Sequence, residues 1–129
     1  SFGDMGWLDS EGWLYIADRR TDMIVVGGTN VFPAEIEAAL EMLPGAVCAA
    51  VIGLPDEDMG NRLHAIVELA VEVSLPEDGM AFLAPAMAGL SSIKRPRSVE
   101  FTRERLRDDA GKMRRARLRQ DRVDGARGQ

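Results

Sequence analysis

Few side chains in this sequence have the chemistry to act on a substrate. His64 is the only histidine and Cys48 the only cysteine, so no multi-histidine metal site, internal disulfide or cysteine zinc site can form, and no metal is expected. No Ser, Cys or second His stands at a spacing from His64 that suggests a nucleophilic triad. The remaining reactive groups are cations. Between Arg103 and Arg122 nine basic residues (Arg103, Arg105, Arg107, Lys112, Arg114, Arg115, Arg117, Arg119, Arg122) stand against four acids, whereas the first hundred residues are acidic overall. Such an end can meet phosphates, or can simply be a solvated helix face. Within it Gly111 lets the backbone turn so that Lys112 reaches outward. This is not a phosphate loop, since the spaced upstream glycine and the Ser or Thr after the lysine are both missing.

A second stretch, residues 18–37, reads DRRTDMIVVGGTNVFPAEIE. Met23, Ile24, Val25 and Val26 favour a strand, Gly27 and Gly28 can take positive φ in a hairpin turn, and Pro33 suits the first position of a helix. Glu35 and Glu37 follow near the positive end of that helix. Strand, glycine turn, strand and helix is the plain reading.

The elements that would carry these residues can be taken in order. Asp9-Ser10-Glu11-Gly12 is a turn before the strand Trp13 to Ile16, which predicts a first hairpin. After Pro33, the residues Ile36, Ala39, Leu40 and Leu43 make one apolar helical stripe, ended by Pro44-Gly45. Val47 to Ile52 is a nearly continuous apolar run, expected to be a fully buried strand holding Cys48 as a small core hydrophobe. Residues 53–61 read as a polar loop. Strict alternation follows, with Leu63, Ala65, Val67, Leu69, Val71 and Val73 inward and His64, Glu68 and Glu72 outward, so His64 is expected at the surface of a half-buried antiparallel strand. Met80, Leu83, Met87 and Leu90 recur at helical intervals around Pro85, which predicts a kink or a late start. Ser98 to Phe101 is a last short strand. The fold class is therefore α+β, a small mostly antiparallel sheet whose one face is covered by two helices.

Three ordered stretches resemble the adenylate-forming enzymes: acyl-CoA synthetases, the adenylation domains of nonribosomal peptide synthetases, and luciferases. Gly3, Asp4, Gly6, Asp9 and Gly12 follow a GDxGxxDxxG pattern, residues 18–37 follow the hinge-and-hairpin signature, and Arg107, Gly111 and Lys112 stand in the register of the adenylation lysine. Lys94, Pro96 and the strand after them are similar to a Lys-x-Pro stretch before the family's final strand. The resemblance runs from about Gly3 to Leu118.

It implies the C-terminal domain of an AMP-forming carboxylate-CoA ligase. Residues 1–20 would be the terminal hairpin of a missing large domain plus hinge, residues 21–123 the mobile C-terminal domain, and residues 124–129 a disordered tail. Lys112 would be the catalytic lysine, Asp4 the carboxylate that accepts from both ribose hydroxyls of ATP, Arg19 a contributor on the nucleotide side or the hinge, and Gly28 the point where backbone approaches a pantetheine arm. Arg20, Thr21 and Asp22 would form the hinge, with Thr21 where the family usually has Asp or Lys. Leu106 likewise replaces a usual proline. ATP, Mg2+ and CoA would be bound mainly by the large domain, which is the expected partner together with a carboxylic acid. A chain beginning in mid-pattern at Ser1 suits a fragment of a longer polypeptide.

Composition bounds the alternatives. At 129 residues, with 46% apolar residues and a net charge of -5, one folded domain with an appendage is expected, without a generic nucleic-acid bias. No apolar run is long enough for a transmembrane segment and the N-terminus lacks a signal pattern, so a cytoplasmic place is expected. The thiol could belong to a carrier protein rather than CoA. A non-enzymatic interaction module with a basic tail is the other alternative, but no aromatic residue interrupts the arginines after Thr102, which disfavours nucleic acid. An orphaned hairpin carrying Trp7 and Trp13 would expose apolar surface and could pair two copies into a homodimer.

Overall fold

A computed structural model describes residues 23–127. Strands β1 (Ile24–Val26) and β2 (Thr29–Val31) form an antiparallel hairpin in which Val26 faces Thr29 across the two glycines. Gly27 and Gly28 have φ of +55° and +84°, the pair of positive values that a two-residue type I′ turn requires. Helix α1 (Pro33–Glu41) opens on the proline, whose missing N–H is one that a first helical turn leaves unbonded anyway. Its Ile36 and Leu40 are fully buried, and Leu43 extends the stripe just past the helix end.

Strands β3 (Ala46–Asp56) and β4 (Gly60–Leu69) pair antiparallel from Ala46↔Leu69 to Asp56↔Gly60. The polar loop expected over residues 53–61 is thus mostly strand, and only Glu57, Asp58 and Met59 lie outside the two strands. The turn residues act within that short connection: the Asp56 carboxylate accepts from the Met59 N–H at 2.9 Å, and Gly60 takes φ +81°. Pro55 is tolerated because β3 lies at the edge of the sheet.

Helix α2 (Gly79–Met87) is capped by Asp78, whose side chain accepts from the Ala81 N–H at 3.1 Å. Pro85 lies in its last turn, so the helix runs only two residues beyond the lost N–H. A 3-10 turn (Ser92–Lys94) leads to β5 (Ser98–Thr102), which pairs parallel to β4. That parallel pairing needs a crossover, and the segment carrying α2 supplies it. Helix α3 (Arg115–Arg127) closes the described chain.

The α+β class expected from the pattern holds. Of three strand pairings two are antiparallel, and the three-stranded sheet, ordered β3-β4-β5, is mixed. Helices α1 and α2 cover one face with Ile36, Leu40 and Leu83 against Val51, Leu63 and Val67. The other face is covered too: Ala50, Ile52 and Ile66 meet Leu106, Met113 and Leu118 from the last loop and α3. The continuous apolar run in β3 follows from this, since alternate residues serve two cores.

The free edge of β3 is closed by side chains. Glu41 Oε2 accepts from the Ala49 N–H at 3.0 Å, Glu37 Oε2 accepts from the Val51 N–H at 2.9 Å, and Arg119 Nε donates to the Gly53 carbonyl at 2.7 Å. Helices α1 and α3 thereby satisfy groups that an edge strand would otherwise present to another chain.

Candidate active site

Lys112 stands in a tight loop whose ends meet in an antiparallel bridge between Arg107 and Met113. Asp108 organises it. Its Oδ1 accepts from the backbone N–H of Ala110 at 2.9 Å and of Lys112 at 2.9 Å, and its Oδ2 accepts from Arg114 Nε at 3.0 Å. The Asp108 N–H donates to the Lys112 carbonyl at 2.9 Å, and Arg107 donates to the Gly111 carbonyl at 3.0 Å. Gly111 has φ +81°, which lets the chain reverse there. The Lys112 N–H on its carboxylate, followed by Arg114, holds Asp108 below the usual carboxylate range. Every backbone bond in the loop thus favours one shape, with an exposed lysine at its end.

The loop is fastened to the body at three places. Leu106 and Met113 pack on the second core, and the Leu106 N–H donates to Glu68 Oε1 at 3.1 Å. At the start of α3, Arg115 forms a two-pronged pair with Glu37 of α1, with Nε 2.7 Å from Oε2 and Nη2 on Oε1. Glu37 is only 3% exposed. Sequence reasoning placed it as a favourable acid near a helix start and missed the pairing, whose partner lies 78 residues away.

Gly28 lies at the exposed tip of the β1–β2 hairpin, and a Cβ built there would meet nothing within 4 Å. Gly27 is different: its N–H donates to the Met59 carbonyl at 2.8 Å, and a Cβ would come 2.5 Å from Met59 Cε. Asn61 Nδ2 adds a bond to the Val25 carbonyl at 3.0 Å, so the hairpin is held against the β3–β4 turn while its tip stays open. A cleft of about 340 Å³ lies beside β1, lined among others by Met23, Val25, Asn61 and Arg119. Asp4, Arg19, Arg20, Thr21 and Asp22, with the whole expected first hairpin and hinge, lie outside the described residues. Lys112 and Gly28 are therefore the expected site positions that can be located.

His64 corrects two expectations. It is 8% exposed rather than a surface residue, because the face expected to be open is the one α3 covers. Its Nδ1 is 2.7 Å from Ser98 Oγ and its Nε2 is 2.7 Å from Glu100 Oε1, so the serine and carboxylate missing from the nearby sequence arrive from the neighbouring strand. The Glu100 carboxylate can only accept, so Nε2 donates to it, while the Ser98 hydroxyl facing Nδ1 can donate or accept. Glu100 is also bridged by Arg122, with Nε 2.7 Å from Oε1 and Nη2 2.8 Å from Oε2. Hydrogen bonds from Arg122, and then from His64, hold it down to about 2 against the cost of burial. This row ties β4, β5 and α3 together; its carboxylate is committed to a guanidinium. The parallel register His64↔Ser98 creates it, and no local sequence pattern announces that register.

Cys48 is buried, and burial pushes its thiol up, with nearby Glu41 adding to the effect. No group of three or more His, Cys, Asp or Glu residues that could hold a metal occurs among the described residues. No helix among them is long and apolar enough to cross a membrane.

A hydrogen-bonded lysine loop and an open glycine hairpin thus lie on one small α+β body. The AMP-binding enzyme C-terminal domain family matches residues 35–112, and the chain belongs to that family. It is 43% identical over 118 residues to a fatty acid–[acyl-carrier-protein] ligase, ScoC, of Streptomyces coeruleorubidus, covering 91% of this chain and 22% of that one. It is 42% identical over 118 residues to the long-chain-fatty-acid–CoA ligase FadD13 of Mycobacterium tuberculosis, covering 92% of this chain and 23% of that one. Among solved structures it is similar to the anthranilate CoA ligase AuaEII in complex with anthranoyl-AMP, with TM-score 0.75 and 31% identity over 83% of this chain and 21% of that one. The chain spans under a quarter of the length of these curated relatives.

Proposed function

We propose that this chain is the mobile C-terminal domain of an ATP-dependent, AMP-forming carboxylate–thiol ligase, and that Lys112 is its adenylation lysine. In the first half-reaction a carboxylate oxygen of the acid attacks the α-phosphorus of ATP, and the bond to pyrophosphate breaks. Two anions approach each other, and charge grows on the phosphoryl oxygens. An ammonium held between them lowers that repulsion, an effect worth several kcal/mol in preorganised sites, or roughly 10²- to 10³-fold in rate. The observation that carries this reading is the Asp108-centred loop, which spends its backbone hydrogen bonds on presenting one exposed lysine.

In the second half-reaction a thiol attacks the acyl carbon and AMP leaves. The domain rotates about residues 20–22, Lys112 withdraws, and the hairpin around Gly28 guides the pantetheine arm. The open tip at Gly28 supports this role, since backbone there can be approached without a side chain intervening. Asp4 would hold the ribose of ATP and Arg19 would serve the nucleotide side or the hinge. Mg2+ would travel with the nucleotide phosphates and be held mainly by the large domain. The partner is the large N-terminal domain, and the acid is selected there. Relatives whose names specify an acyl-carrier protein and CoA match almost equally, so either pantetheine carrier is consistent with this domain.

Lys112→Ala in the full-length ligase tests the assignment. ATP–pyrophosphate exchange should fall by at least about 10²-fold, while thioester formation from supplied acyl-adenylate should be largely spared. Equal loss of both halves would sink it.

A further inference from the structure

We propose that Glu37 is a positioning residue for Lys112, acting through Arg115; the inference rests on the ligase reading above. Lys112 carries its ammonium on a long flexible stem, so what the fold can set is the place and direction of its backbone. The bonds around Asp108 give the loop its shape but are internal to residues 107–114. They do not aim it. Leu106 and Met113 rest on a small apolar surface made by Ala50, Ile52 and Ile66, and apolar contact is non-directional; the Leu106 N–H on Glu68 Oε1 fixes where the chain enters the loop, six residues before Lys112, and leaves the exit toward α3 to be set.

The pair of Glu37 with Arg115 is directional. A planar guanidinium meeting a carboxylate on two prongs fixes both separation and angle. Arg115 is the first residue of α3, three positions after Lys112, and its side chain is 15% exposed. The same Glu37 Oε2 also accepts the Val51 N–H, so the carboxylate is itself locked to β3 and cannot swing with the arginine. The anchor therefore runs from the lysine loop into α1, and α1 follows directly on the hairpin carrying Gly28, with Phe32 between them. One carboxylate holds the lysine loop at a set angle to the element proposed to guide the thiol.

The pair closes the β3 edge as well, but its geometry goes beyond that task. Buried ion pairs are commonly matched in stability by apolar packing of the same volume, and what the charged pair adds is a fixed angle. The task here is aim, and a displacement of about 1 Å in a positioned group can cost about 10²-fold in rate.

The test uses the full-length ligase and the two half-reactions measured separately. Glu37→Gln keeps an oxygen for the Val51 N–H and removes the charged fork. It should lower kcat of adenylation about 10- to 100-fold with KM for ATP changed less than about threefold, and leave thioester formation from supplied acyl-adenylate within about threefold. Arg115→Lys keeps the charge without the planar fork and should give a smaller defect in the same half-reaction. A merely structural role would depress both halves together. Such parallel loss, or undiminished adenylation in a folded Glu37→Gln enzyme, overturns the inference. If Glu37→Gln shows no cooperative melt, Arg115→Lys decides by the same criteria. Lys112→Ala measured alongside separates the two levels: its failure to affect adenylation removes the ligase reading and this inference together, whereas its expected loss beside an unaffected Glu37→Gln removes this inference alone.

Discussion

Two glycines side by side carry different duties, and the difference is measurable. Alanine at Gly27 or Gly28 meets positive φ in both cases and should cost about 1 kcal/mol of stability at each, read as a shift in the chemical-denaturation midpoint. Only the Gly28 tip is open, so in the full-length ligase Gly28→Ala should slow thioester formation well beyond what Gly27→Ala does; equal effects would deny Gly28 a thiol-guiding role. Glu100 gives a second prediction at this scale. Its folded value near 2 lies below the 4.5 of an unperturbed glutamate, so its contribution is present above about pH 4.5 and is lost as pH falls toward 2. The carboxylate is 38% exposed, and solvent screening reduces that contribution to about 1 kcal/mol. Glu100→Gln should therefore be less stable than the parent at pH 7 and converge on it as pH falls from about 4.5 toward 2, as urea titrations would show. At this scale the sequence was most informative for backbone specialists: Gly27, Gly28 and Gly111 declare their turns. It was least informative for Glu37, Ser98 and Glu100, whose meaning depends on partners from distant segments.

At the scale of elements, local patterns predicted what local forces decide. Pro33 began a helix, the stripe at Ile36 and Leu40 faced inward, and the alternation after Asn61 made a strand antiparallel to the one before it, although that strand stops at Leu69 and leaves Val71, expected inward, exposed. Two features were hidden because long-range contacts decide them. The polar residues 53–61 were mostly drawn into strands, since Asp56 and Gly60 suffice to reverse the chain. The second sheet face was covered by α3, whose sequence is so rich in arginine that it shows little apolar stripe. Leu118, with Met113 ahead of the helix, carries that contact, while Arg115 reaches Glu37 of α1 and Arg119 and Arg122 reach a carbonyl of β3 and Glu100 of β5. A charged helix can thus be a covering helix when its cations find fixed partners. Ile66→Ala should accordingly cost about 2–5 kcal/mol despite facing this arginine-rich helix, a loss read in the denaturation midpoint.

The described residues carry both proposed site elements: a lysine loop anchored to one core and a glycine hairpin anchored to the turn of the long β3–β4 ribbon. Both are stiff, so the proposed alternation between half-reactions asks for rotation of the body as a unit. The isolated chain should accordingly produce no detectable ATP–pyrophosphate exchange, since the acyl pocket and the phosphate-binding residues are proposed to lie in the large domain; exchange by this chain alone would refute that division of labour. Adding the separate large domain should restore less activity than the fused ligase, because the covalent hinge supplies effective concentration.

The closed edge of β3 has a consequence for biosynthesis. The carboxylates that cap Ala49 and Val51 are in place once α1 and β3 have emerged, but the cap on Gly53 comes from Arg119, 66 residues later. During translation the strand therefore passes through an interval in which part of its rim and the Ala50, Ile52 and Ile66 surface await a helix still being made. A nascent chain paused before Arg115 would present an unpaired strand rim and an apolar face at once, features that recruit chaperones or neighbouring chains. Helix α3 is thus the element that covers this face and completes this rim as well as the support of the lysine loop.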